Sequence, residues 1–125
     1  MLTRYPISVR VAAKDLGRAR AWYAERLGLT PEAEEMGGLW YRFAGDTWLF
    51  LYETPAAGTA RNTVAGWTVD DLAAVMAELR SRGVVFEDYD LGDFKTVDGV
   101  LELGGARAAW FTDSEGNIFE LSQPA

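Results

Sequence analysis

The sequence predicts an α+β chain built as two tandem βαβββ modules, and three observations carry that prediction. Residues 7–12, ISVRVA, alternate apolar and polar side chains at the period of a strand, then run into a stretch whose apolar residues recur at helical spacing. The same order restarts at Val64, and Asp15-Leu16 and Asp71-Leu72 stand at matching places in the two halves. Units of about 60 residues are too long for solenoid repeats and too short for independent domains, so each half must complete the core of the other.

In the first module, residues 1–54, Ile7, Val9 and Val11 alternate with Ser8, Arg10 and Ala12, which sets the first three against helices and the second three on the other face. Asp15 opens a helix with Leu16, Ala19, Tyr23 and Leu27 on one stripe, and Gly28 ends it. Strands over residues 30–35, 38–44 and 47–53 follow, divided by Gly37-Gly38 and Gly45-Asp46. After a linker at 55–62, the second module (63–125) opens with a strand from Val64 to Val69. A helix capped by Asp70 or Asp71 comes next, with Leu72, Val75, Met76 and Leu79 on its apolar face and Gly83 at its end. Strands are expected at 84–88, 106–112 and 117–122, the last two joined by the turn Asp113-Ser114-Glu115-Gly116. The stretch DLGDFKTVDGVLELGG, residues 90–105, has no counterpart in the first half and reads as a mobile loop with a short edge strand, of the length used for lids.

Composition narrows the function. A chain of 125 residues with 49% apolar and 13% aromatic content supports one domain over 1–125. No apolar run reaches membrane-spanning length, and MLTRYPISVR lacks the layout of a signal peptide, so a cytoplasmic protein with no membrane partner is expected. There is no cysteine and no histidine, which removes disulfides, thiolate chemistry, the commonest general base and the commonest transition-metal ligand. The net charge of −7, scattered along the chain, argues against a nucleic-acid partner; it suits solubility and favours cationic small molecules.

Three segments carry a family resemblance. VAAKDLGRARAWYAERLGL, VDDLAAVMAELRSRGV and WFTDSEGNIFEL together resemble the vicinal oxygen chelate superfamily of glyoxalases, extradiol dioxygenases and bleomycin-resistance proteins. The last segment matches the family's aspartate-proline-aspartate-glycine turn before a strand ending in Glu-Leu, with Ser114 in place of the proline. The resemblance implies a cup-shaped mixed sheet with helices outside and a metal held by four inward side chains. Those positions fall on Ser8, Phe50, Val64 and Glu120, of which only Glu120 is a family-type ligand. One carboxylate, one hydroxyl and two hydrocarbons do not make a catalytic metal site, so no metal and no cofactor is expected.

The cup is expected to hold other groups instead. Alternation puts Arg10 on the face of Ser8, with Glu120 as its leading partner, either as a self-neutralising pair or as two groups that each hold part of a ligand. Trp48, Phe50 and Tyr52 share a face, and Trp40 and Trp110 add to it, forming an aromatic wall or a ring-filled core. Arg18, Arg20, Glu25 and Arg26 read as a solvated helix face, and Asp113 and Asn117 as turn residues. The expected function is a metal-independent binder of an aromatic or cationic antibiotic or metabolite, as in the bleomycin-resistance branch, whose members imply a homodimer with ligand at its interface. The alternatives are a metal-free isomerase, lyase or hydrolase with Glu120 as general base and Arg10 or Tyr52 as anion stabiliser, or an interaction module with a closed cup.

Overall fold

The computed structural model describes residues 1–125. The first module forms a mixed sheet of β1 (Val9–Ala13), β2 (Ala33–Glu35), β3 (Gly38–Phe43) and β4 (Thr47–Glu53) in the order β1-β4-β3-β2. The second contains β5 (Thr63–Thr68), β8 (Leu101–Leu103), β9 (Ala106–Thr112) and β10 (Ile118–Gln123) in the equivalent order β5-β10-β9-β8. Each sheet has one parallel pair, β1 with β4 and β5 with β10, and is otherwise antiparallel. This is the α+β, two-module fold the repeat predicts. No helix is long and apolar enough to cross a membrane.

The helices also match at their starts. In α1 (Leu16–Trp22) the Asp15 carboxylate accepts from the Arg18 amide, and in α2 (Leu72–Ser81) Asp71 accepts from Ala74, each satisfying one orphan donor. A π-helical turn, Tyr23–Leu27, extends α1 to Gly28, whose φ of 68° provides the left-handed stop.

The core lies between the two sheets. Val11, Leu39, Tyr41, Leu49 and Leu51 of one sheet join Ala109, Phe111, Phe119 and Leu121 of the other in a single buried cluster with residues of both helices. Tyr23 touches both sides, its ring centroid 5.6 Å from Tyr41 and 6.3 Å from Phe119. Alternation therefore sends the intervening residues of each sheet to an outer face, on the side away from this core.

A polar stitch ties the modules. The Glu115 carboxylate accepts from the amides of Lys14 and Asp15, both at 2.9 Å, and from the Arg18 guanidinium at 2.8 and 2.9 Å. Asp113 accepts from the Tyr23 hydroxyl at 2.7 Å, and Asn117 donates to the Ala12 carbonyl at 2.8 Å. Arg18 is thus an ion-pair partner of Glu115 while its side chain stays on the solvated face of α1. The turn residues Asp113 and Asn117 reach beyond their turn.

Several boundaries differ from expectation. Ile7 is 92% exposed and precedes the strand, which starts at Val9. The strand expected at 30–35 keeps only Ala33–Glu35, since Pro31 has no amide to donate. Residues 84–88 make a single bridge, Phe86 to Phe111, and the edge strand is β8 instead. The 90–105 segment is ordered by three two-residue turns: Gly92-Asp93 joins β6 (Asp90–Leu91) to β7 (Phe94–Lys95), Asp98-Gly99 closes the Val97–Val100 bridge, and Gly104-Gly105 joins β8 to β9. Positive φ at Gly92, Asp98, Gly99, Gly104 and Gly105 makes these turns possible.

Candidate functional site

On the outer face of the first sheet, register alone brings most of the expected residues together. Arg10, Phe50 and Trp40 are direct cross-strand neighbours on β1, β4 and β3. The Arg10 guanidinium lies over both rings, 5.1 Å from the Trp40 centroid and 5.4 Å from Phe50. Trp48 meets Trp40 edge-on at 6.1 Å, and Tyr52 stacks on Phe50 at 6.1 Å and 9°. Gly38 is required here, because a Cβ at that position would collide with the Phe50 ring. Ser8, Arg10, Trp40 and Trp48, with Glu35 and Asp46, line an open hollow of about 450 Å³. Glu35 and Asp46 are acids the sequence reading missed; Glu35 ends β2 and Asp46 lies in the turn between β3 and β4.

The outer face of the second sheet holds the other expected residues. Glu120 pairs with Trp110 across β10 and β9 and faces Gly66 of β5. Tyr89 and Phe94 close on Trp110 at 5.9 and 5.4 Å, and the Trp110 indole donates to the Thr63 hydroxyl at 3.2 Å. Arg61, Thr63, Tyr89, Phe94, Trp110 and Glu120 line a hollow of about 430 Å³. Tyr89 and Phe94 were also missed, although Tyr89 precedes and Phe94 lies within the segment singled out as a lid.

Two expectations are corrected by this placement. Within one chain the Arg10–Glu120 pair does not form: none of the six ion pairs includes either residue, and the two line separate hollows. Val64 packs against the core, because a register shift between Ile118 and Phe119 inserts one extra residue in β5 and leaves Thr63 facing outward in its place.

The four positions that the superfamily uses for a metal therefore do not fit one. Phe50 has no lone pair, Val64 is turned into the core, and Ser8 and Glu120 belong to different faces. No three Asp or Glu side chains converge anywhere in the chain. What the faces offer is stacking, the Arg10 and Arg42 cations held over rings, and carboxylates beside rings.

A sequence model described as the Glyoxalase/Bleomycin resistance protein/Dioxygenase superfamily matches residues 7–121. Among solved structures, the chain is similar to TnmS3, an antibiotic binding protein from Streptomyces sp. CB03234, at 26% identity over 97% of both chains with a TM-score of 0.70. A glyoxalase/bleomycin resistance protein from Catenulispora acidiphila DSM 44928 is 25% identical over 95% of this chain and 97% of its own, with a TM-score of 0.69. UcmS2, 21% identical over 95% of this chain and 98% of its own, shares the fold with a TM-score of 0.74. No curated protein matches the chain by sequence.

Proposed function

The chain belongs to the glyoxalase/bleomycin resistance protein/dioxygenase superfamily, and from that membership we propose that it is a metal-independent binder of an aromatic small molecule, an antibiotic or a metabolite, held between two copies of the chain. The observation that carries this reading is Arg10 lying over Trp40 and Phe50 at the base of an open hollow. Such a surface takes a flat ring by stacking and offers guanidinium N–H groups to an oxygen at the ring's edge. The similarity to an antibiotic binding protein supports an antibiotic as ligand.

The placement of the hollows supports a homodimer. Each chain supplies two separate open hollows, and setting the Arg10 face of one copy against the Glu120 face of its partner would close them into one cup. The unpaired edges of β1 and β5 and the exposed Ile7 favour such a contact.

A thermal-shift screen of antibiotics and aromatic metabolites tests the proposal. A ligand at a hundred times its Kd raises stability by about 2.7 kcal/mol. Arg10→Ala and Trp48→Ala are expected to abolish most of that gain, and a ligand recovered unchanged after long incubation marks sequestration. The second reading, a metal-free enzyme, is favoured by the Glu120 carboxylate, which forms no ion pair and stands beside Trp110 and Tyr89. Turnover lost in Glu120→Gln would establish it over the first. Stoichiometric metal in the purified protein would overturn metal independence.

A further inference from the structure

The cavity of about 490 Å³ between α2 and the 90–105 segment belongs to neither hollow of the cup. Arg107 lines it and shares its strand face with Ala109 and Phe111, the side opposite Trp110 and Glu120. Three cations from separate elements meet there: Arg80 of α2, Lys95 of β7 and Arg107 of β9. The two acids in the wall are Asp98 and Glu102, so the cavity is net cationic in a chain of charge −7.

Those cations are under-committed. Arg80 forms no ion pair; its guanidinium donates to the Asp98 carbonyl at 2.9 Å and lies 5.2 Å from the Phe86 centroid. Lys95 has its nearest carboxylate, Asp90, at 3.9 Å. Arg107 Nε is buried and donates no hydrogen bond, although the Glu102 carboxylate, 72% exposed and able to swing away, lies 3.4 Å off. A buried guanidinium donor without an acceptor is unfavourable, and an entering anion would relieve that cost. The rest of the wall is apolar: Ala73 and Met76 of α2, with Val97 and Val100 from the turn.

We propose that this cavity is a second binding site, for a carboxylate carrying an apolar tail, with its head on Arg80, Lys95 and Arg107 and its tail along Met76, Val97 and Val100. The segment that builds half of it is the insertion the first module lacks, so the site occurs once per chain and has no pseudo-symmetric twin.

Titration calorimetry with decanoate, 1-decanol and decyltrimethylammonium tests the site on the full chain. Saturable binding of decanoate alone is expected. Arg107→Met and Arg80→Met should each weaken it by about tenfold or more, the loss of one charge-assisted contact. Lys95→Met, at an exposed position of β7, should weaken it to a smaller extent, and Arg10→Ala should leave it unchanged. Equal binding of the alcohol or the cation, no binding of decanoate, or sensitivity to Arg10→Ala in place of the three cavity variants would overturn the proposal.

Discussion

The Glu115 carboxylate is shared among two backbone amides, the Arg18 guanidinium and the Ser114 hydroxyl, and its side chain is 0% exposed. These donors, Arg18 first, hold its pKa down from 4.5 to about 2. A depressed carboxylate stabilises the fold above its unfolded-state value and loses that contribution as pH falls through the native value. The full shift corresponds to about 3 kcal/mol, and the exposed position of Arg18 lowers the expectation to the order of 2 kcal/mol. Denaturant titrations of the wild type should therefore show stability falling between roughly pH 5 and pH 2, and Glu115→Gln should be less stable at neutral pH with a flatter profile across that window. Equal slopes for the two proteins would remove Glu115 as the source. At this scale the sequence was partly legible. Alternation placed Arg10, Trp40, Trp48, Phe50 and Tyr52 on one face, because register follows from period two. It was silent on Glu115, whose partners Lys14 and Asp15 lie about a hundred positions away and leave no local pattern.

The 90–105 segment shows how far element-level reading extends. It carries Gly-Asp, Asp-Gly and Gly-Gly, each a two-residue hairpin signal, and all three form such turns. Those pairs were the available clue to β6, β7 and β8; the expected strand at 84–88 drew on apolar content alone, which Val84 and Phe86 satisfy by packing into the core without a ladder. The hairpin is held at its base by Asp88, which accepts from the Thr96 hydroxyl and the Gly99 amide, both at 2.8 Å. The same two donors, the hydroxyl first, lower its pKa. Asp88→Ala is expected to speed amide hydrogen exchange across residues 90–100 by about tenfold, with little change in the global melting temperature. Uniform acceleration through the core would show instead that Asp88 supports the whole fold. Because Tyr89 and Phe94 border the Glu120 hollow, the same variant should weaken any ligand bound there.

At the scale of the molecule, the repeat was legible from Asp15-Leu16 and Asp71-Leu72, and so was the succession of one strand, a helix and three strands in the first half. How the halves meet was not, because alternation tells which residues share a face and leaves open which faces are buried together. That is why Glu120 and Trp110, expected beside Arg10 and the other rings, line a separate hollow of the chain, while Trp40, Trp48, Phe50 and Tyr52 cluster on the first sheet. The composite cup has a direct test: chains carrying Arg10→Ala and chains carrying Phe94→Ala, each defective alone, should on equimolar mixing form mixed dimers with one intact site, and because about half of the dimers are mixed the sample should regain about a quarter of the wild-type stoichiometry. No recovery, with dimer exchange confirmed by mass, would mean that each face binds by itself. The stitch between the modules bears on the order in which the molecule can be completed. The amides of Lys14 and Asp15 are synthesised about a hundred residues before their acceptor. While the chain is being translated, α1 has its own Asp15 cap but neither the Glu115 acceptor nor the Phe111 and Phe119 surface it packs on. The first half must wait, with apolar surface uncovered, until the final hairpin leaves the ribosome.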